Sequence, residues 1–416
     1  MVERNGSLAC PMIASLPSLT PQVANDDTQD AGAFAALRIL VAVGFLASIA
    51  MTYPLWLTER AFPLIPVEPH IPALPSPFDI GALLLLVLLL AITVVLPSGI
   101  AAIGIITVVA LLWAQDQNRI HPWGYFFVLI YGALGDLWLK PREQRRRSDT
   151  VTLLQFIVVT IYASTGLQKF RMSYLTEVIP ALISSYKYPP SFATTTLLSS
   201  IPFIEVALAL GLLFHLTRRL SVLGILLLHA GILVMVSPLG RNENYSIVPW
   251  NLTMACMTVV LFWRSKTTVR AILVPTWTRT RVIFFQLCIV LPLLGYFGLW
   301  NPYLSFSVYS GASARGYAFF QERALTNLPS PIRSAVSPSE GGLYQLPFDR
   351  WGLATIRSVP SPQLGDVHQM AIYLCRTIPN ADTDMIVIIR TPAKPWESQS
   401  SDKAYSCQQG DLISLD

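Results

Sequence analysis

Two ionisable side chains lie deep inside apolar runs: Glu205 in IPFIEVALALGLLF and His229 in LLLHAGILVMV. A carboxylate in hydrocarbon is costly unless it is protonated or paired, so such residues are functional candidates by default. A third group, Lys169, ends the run VTLLQFIVVTIYASTGLQKF, in which Tyr162, Thr165 and Lys169 share one helix face at spacings of three and four. Desolvation favours the neutral acid, which suits Glu205 as a proton donor, whereas a nearby Lys169 favours the carboxylate. The structural alternatives are a Glu205–His229 or Glu205–Lys169 pair that locks a bundle, or Lys169 as an anchor with its ammonium lifted into the headgroups.

Three polar segments gather near these groups. They are Asp116-Gln117-Asn118-Arg119-Ile120-His121-Pro122-Trp123, the last turn Tyr162 to Lys169 with Gln168, and Gly240 to Tyr245 followed by Pro249-Trp250-Asn251. Together they set Asp116, Arg119, His121, Lys169, Arg241, Glu243 and Asn251 at one membrane depth, with Glu205 and His229 roughly 10–13 Å deeper at 1.5 Å per residue. Such a set suits proton-initiated cyclisation or isomerisation of a lipophilic substrate drawn from the bilayer. Glu205 or Asp116 is the expected acid, and Lys169, His121 or His229 tunes it or takes the final proton. Tyr162, Trp123 and Trp250 offer π faces to a developing cation. Arg119, Arg241, Asn251 and Gln168 are the expected contacts to a polar head.

The elements that must hold these residues are membrane helices. The mean hydropathy is +0.52, and 53% of the 416 residues are hydrophobic while 13% are charged, against about 25% charged in soluble domains. The net charge of +5 resides partly in basic clusters between apolar runs, which is a topology signal and not a nucleic-acid footprint. Nine apolar stretches, at 33–55, 79–97, 99–114, 122–138, 151–169, 196–215, 219–236, 247–263 and 282–299, predict transmembrane helices. Pro97-Ser98-Gly99 makes the second and third a hairpin. Arg38 and Asp136 read as a structural pair or as anchors.

Basic residues follow the fourth stretch (Lys140, Arg142, Arg145, Arg146, Arg147), precede the seventh (Arg218, Arg219) and separate the last two (Arg264, Lys266, Arg270, Arg279, Arg281). All fall on one side of a nine-span arrangement, which sets the N-terminus in the cytosol and the C-terminus in the lumen, with the endoplasmic reticulum as the expected membrane. Residues 1–32 read as a disordered cytosolic tail without a cleavable signal, 33–300 as the bundle and 301–416 as a lumenal region. That region has β-like runs (SFSVYS, MAIYLC, MIVIIRT) among Pro-rich connections and predicts a small α+β extension. The expected fold class is an all-α polytopic membrane bundle of about nine helices with this extension. Cys375 and Cys407 can pair if they face an oxidising lumen, whereas Cys256 and Cys288 read as packing residues. Asn244-Tyr245-Ser246 is a glycosylation sequon. No Cys/His cluster suggests a metal, no cofactor is expected, and the Asp-rich motifs needed for diphosphate ionisation are absent.

The motifs DQNRIHPW, YASTGLQKF, IPFIEVALALGLLF, LLHAGILVMVSPLG and VPWN resemble those of DoxX-like proteins and, through them, of the vitamin-K-dependent γ-carboxylase-like (HTTM) membrane superfamily, over roughly residues 33–310. In the carboxylase a Lys after a Tyr- and Gly-containing helix acts as a base on a quinone-type lipid, so the resemblance implies a proton-transfer role for Lys169. The chain is far shorter and has nothing like the carboxylase's large substrate-recognition region, which argues against peptide carboxylation. In size, lumenal polar cluster and layout it is also similar to integral-membrane cyclases of fungal meroterpenoid pathways of the ascofuranone type. That likeness implies acid-catalysed ring closure on a prenylated aromatic substrate. The alternative is a non-catalytic DoxX-like subunit of a quinone-linked oxidoreductase.

Overall fold

The structure, a computed structural model, describes residues 20–139, 144–184, 191–237, 244–273 and 278–415. Each of the nine apolar stretches forms a helix: α1 (Thr20–Met51), α2 (Phe78–Val95), α3 (Gly99–Gln115), α4 (Pro122–Leu139), α5 (Gln144–Gln168), α6 (Phe192–Leu213), α7 (Arg218–Val236), α8 (Val248–Phe262) and α9 (Arg279–Tyr296). Helix α1 begins inside the stretch read as a tail; the rest of that stretch lies outside the described residues.

Seven helices among the described residues are long and apolar enough to cross a membrane, rather than nine. The two that fall short do so for different reasons. Helix α3 is apolar but has 17 residues, at the lower limit for a span. Helix α4 mixes Pro, Gly, Tyr, Trp and Asp136 with its apolar residues, and it is enclosed by protein. Trp123, Phe127 and Leu134 on one face and Tyr125 and Leu129 on the opposite one are all buried. A helix apolar on all sides belongs at the centre of a bundle, where its neighbours and not lipid supply the contacts. Helix α5 is also internal, with 78% of its spanning window buried, whereas α2, α6, α7 and α9 bury between 22% and 28% and turn leucines such as Leu84, Leu88, Leu210 and Leu227 outward.

Two arginines counted as topology signals, Arg218 and Arg281, are built into the fold, as is Arg38, which the sequence suggests as a structural partner or anchor. Arg218 donates to the carbonyls of Leu212, Leu213, Ser265 and Thr267, which ties the α6–α7 turn to the end of α8. Arg281 donates to the Asp149 carbonyl and to Thr152 on α5. Arg38 donates to the Thr93 and Val94 carbonyls at the end of α2, at 2.8 Å each, and so caps the orphan acceptors there. Helices α5 and α6 meet closely at Gly166, where an added Cβ would lie 2.8 Å from Val206 Cγ2 and 2.9 Å from the Pro202 carbonyl oxygen.

The C-terminal region is an antiparallel sheet of six strands, β1 (Arg315–Phe320), β2 (Ser337–Pro338), β3 (Tyr344–Pro347), β4 (Met385–Thr391), β5 (Ser401–Gln408) and β6 (Asp411–Ser414), in the order β2-β3-β1-β4-β5-β6. Helices α10 (Phe348–Ile356) and α11 (Leu364–Thr377) pack against it. Of the three β-like runs only MIVIIRT is a strand, with Met385, Val387 and Ile389 buried in alternation. MAIYLC is helical instead, because Val367, Met370, Ala371, Leu374 and Cys375 are buried at helical spacing. SFSVYS lies outside the sheet, with Phe306 and Tyr309 in the left-handed backbone region. A Cys375–Cys407 disulfide ties α11 to β5. Cys288 is buried as expected of a packing residue, while Cys256 is exposed on the bundle.

Residue 301 is a boundary in composition but not in packing. One apolar core runs from the bundle into the sheet. The Trp351 indole donates to the Ala61 carbonyl at 3.2 Å, the Ser361 N–H to Asn118 Oδ1 at 3.1 Å, and Ser400 to both Glu177 oxygens. The C-terminal region therefore caps the bundle end at which Asp116–Trp123 lies.

Candidate active site

A directed hydrogen-bond chain crosses the bundle from α5 to α7 to α8. Asn251 Nδ2 donates to the Ile247 carbonyl at 2.8 Å, which leaves its Oδ1 to face His229 Nδ1 at 2.8 Å. Since Oδ1 only accepts, His229 carries its proton on Nδ1 and presents a lone pair at Nε2. The Tyr162 hydroxyl, 2.6 Å from Nε2, is then the donor. Thr258 Oγ1 donates to the Met254 carbonyl and stands 3.4 Å from the same phenol oxygen. All four side chains are buried. The layout is a phenol held against a neutral imidazole whose tautomer is fixed by an amide, as proton relays require.

Two turns further on, just past the end of α5, Lys169 Nζ meets Glu205 Oε2 at 2.8 Å, Oε1 at 3.1 Å and the Thr165 carbonyl at 3.0 Å. Three donors find three acceptors, so the Lys169 ammonium is fully satisfied. Of the two structural pairings open to Glu205 in the sequence, the one formed is with Lys169. Lys169 and Glu205 are both enclosed, with side chains 8% exposed. The pair and the relay are carried by the same stretch of chain, Tyr162 lying seven residues before Lys169. Gln168 turns away to the Pro292 carbonyl at 2.7 Å, and its Oε1 is buried without a partner.

Asp116 and Arg119 sit apart from this cluster, in the loops beneath the sheet. Asp116 Oδ2 contacts Arg60 at 2.5 Å and Arg119 at 3.6 Å, while Oδ1 accepts from the Ile65 and Asn118 N–H groups and from Asn118 Nδ2. Arg119 donates to the Leu55, Leu112 and Trp56 carbonyls. Burial pulls the Arg119 guanidinium down to about 10, partly countered by Asp116. The contacts to Leu55, Trp56, Arg60 and Ile65 join the segment after α1 to the segment after α3, and neither side chain is among those lining the cavity under the C-terminal region.

His121, Trp123 and Trp250 come together elsewhere, around a cavity of about 210 Å³ between the bundle and the C-terminal region. The His121 ring stacks on Trp123 and on Tyr303, at 5.3 Å between centroids in each case. Its Nε2 faces the Ser358 hydroxyl at 3.1 Å. Burial pushes the imidazole down to about 3, so it is neutral. Ile247, whose carbonyl anchors the relay, lines the same cavity, as do Val178 and Leu182. These last two pack with Tyr174. Arg241 and Glu243 lie outside the described residues. Tyr174, Thr258, Tyr303 and Ser358 carry no sequence signal of their own, since isolated hydroxyls in apolar or loop surroundings are common.

Among the described residues no group of three or more His, Cys, Asp or Glu is placed to hold a metal. Comparison with protein families, characterised proteins and solved structures finds no match. Any functional reading therefore stands on this geometry.

Proposed function

We propose that the chain is a multi-pass membrane enzyme that isomerises a lipophilic prenylated ring compound by proton transfer, closing a terpenoid-type ring in secondary metabolism. The carrying observation is the directed chain from Tyr162 through His229 to Asn251. In this reading a substrate phenol gives its proton to the Tyr162 oxygen as the Tyr162 proton passes to His229 Nε2. The phenol oxygen then attacks an epoxide carbon, the C–O bond of the epoxide breaks, and its oxygen takes a proton from the Lys169 ammonium. Transfer from His229 back to Lys169 restores the starting state, and no atom is gained or lost. This distribution of roles differs from one with Glu205 as the acid, because a carboxylate bonded twice to an ammonium is a poor proton donor. Glu205 instead holds Lys169 charged and in place.

The reading includes nine membrane passes, α3 and α4 among them, with the N-terminus cytosolic and the C-terminal cap lumenal in the endoplasmic reticulum. The Cys375–Cys407 pair supports an oxidising compartment for the cap. The test is turnover of prenylated phenol epoxides by microsomes, followed by mass spectrometry. Tyr162→Phe and His229→Gln are expected to slow conversion by about 10²- to 10⁴-fold, the usual worth of general acid–base catalysis. Wild-type rates in Tyr162→Phe and Lys169→Met would refute it. Copurification with redox partners, without turnover, would favour the non-catalytic subunit.

A further inference from the structure

The β4–β5 loop, residues 392–400, leaves the sheet at the end where β1 begins, since Arg315, Arg390 and Asp402 lie in register across the three strands. That end meets the bundle. Thr176 Oγ1 donates to the Ser398 carbonyl at 2.6 Å, and Glu177 accepts from the Ser400 N–H at 2.6 Å and from its hydroxyl at 3.0 Å. The segment so gripped belongs to an apolar helix, Tyr174–Ile183, between α5 and α6. The Tyr174 hydroxyl donates to the Leu198 carbonyl at 2.8 Å, nearly two turns inside α6. The loop therefore reaches down beside a helix of membrane-spanning length and does not stop above its end.

At that depth the loop presents one large apolar side chain. Ala393 and Pro395 are buried at its root. Lys394 to Glu397 is a tight turn, closed by the Glu397 N–H on the Lys394 carbonyl at 3.0 Å and by the Lys394 N–H on Glu397 Oε2 at 2.8 Å. Proline at the second position presets such a turn, which puts Trp396 at the tip, 66% exposed. Lys394 Nζ lies 6.0 Å from the centre of the Trp396 ring and 3.8 Å from Glu397 Oε1. An indole held out beside an ammonium suits a membrane interface, where the apolar body enters lipid and the polar tips stay with the headgroups.

The surroundings carry the same character. Met172 and Leu175, just before the gripped residues, are exposed, as are Phe297, Leu299 and Trp300 beyond the end of α9. These two stretches are tied together, since Arg171 donates to the Tyr296 carbonyl and the Tyr296 hydroxyl to the Phe170 carbonyl at 2.6 Å. Trp396 thus continues the outward apolar band of the bundle. A protein partner needs a broad face, about 800 Å² a side, whereas a single indole on a narrow tip flanked by charge suits a fluid surface. We infer that the β4–β5 loop is a membrane anchor of the cap, with Trp396 seated where headgroups meet acyl chains and Lys394 among the phosphates. The occupant is phospholipid of the leaflet on the cap's side. The inference uses the membrane-spanning helices but no step of the proposed reaction.

The experiment is photolabelling of the full chain in phosphatidylcholine nanodiscs, with a diazirine on the lipid either at the headgroup or at the end of an acyl chain. Labelled peptides are read by mass spectrometry. The headgroup probe is expected to label residues 391–403 several-fold more than residues 377–390, which include the far end of the sheet. The chain-end probe is expected to label α6 and to spare 391–403. Trp396→Asp should bring labelling of 391–403 down to that of 377–390, and Trp396→Phe should leave it between the two. Should Trp396→Asp not fold, Trp396→Ser decides in its place. Labelling of 391–403 no higher than that of 377–390, or undiminished in Trp396→Asp, overturns the inference and leaves the spanning helices standing. Failure to label α6 as well overturns the membrane reading with it.

Discussion

Removing one member of the Lys169–Glu205 pair has a different consequence from removing both. Glu205→Gln leaves a buried ammonium without its counter-charge, and breaking a buried pair in this way destabilises by about 3–5 kcal/mol. Lys169→Met with Glu205→Leu removes both charges and replaces them with side chains of similar volume, which is often neutral for stability. The double variant should therefore melt near the wild-type temperature in detergent while the single variant melts well below it. Activity separates lock from catalyst: a stable double variant without turnover assigns the pair to chemistry, and one that turns over normally reduces it to a lock. The meeting of Lys169 with Glu205 was legible in part, because spacing put Tyr162, Thr165 and Lys169 on one face and hydropathy put Glu205 nearby. Which partner Glu205 takes was not, since that depends on how closely α5 approaches α6. The Asp116–Arg60 contact was illegible for another reason. Its partners are 56 residues apart, in a loop whose course no periodicity reports.

At the level of elements, the approach of α5 to α6 is set by one residue. Gly166 lies within a turn of Lys169, and a Cβ there would come within 3.1 Å of Glu205 Cβ as well as meeting Val206 and Pro202. The obstruction includes a backbone carbonyl, which cannot rotate away. Gly166→Leu should force the helices apart, cost about 1–3 kcal/mol through overpacking, and lower turnover by lengthening the Lys169–Glu205 contact. Gly166→Ala should fall between it and wild type, so melting temperature and turnover are expected to decline together along the series Gly, Ala, Leu. Unchanged turnover in Gly166→Leu would mean that helix spacing does not set the site. Helices of this kind announce themselves by hydropathy, which is why each apolar stretch of the sequence is a helix, seven of them long and apolar enough to span. Their environments were less visible: α4 reads as a span yet is wrapped by protein, and the run MAIYLC has strand-like residues but helical burial. In both cases the neighbours, and not the segment's own composition, decide the outcome.

On the scale of the whole molecule, sidedness is the property on which the other arguments depend. The cap covers the bundle end that carries Asp116–Trp123 and packs into the same core, so cap and cavity must face one compartment. The opposite end presents the turn held by Arg218 and the segment before Arg281. If the cap is lumenal, trypsin added to sealed microsomes will spare the C-terminal region and cut it only after solubilisation, because Arg323, Arg376 and Lys394 carry exposed side chains. In the same vesicles Cys375 and Cys407 should resist maleimide until a reductant is supplied, since their disulfide leaves no thiol. Closing the 32-residue separation between them constrains the unfolded chain by roughly 3–4 kcal/mol, so reduction should also lower the melting temperature of the cap. Cleavage of the cap in intact vesicles, together with free thiols at both cysteines, would put it in the cytosol. The proposed substrate would then have to enter from the cytosolic leaflet, and the basic loops would stand on the side that positive charge disfavours.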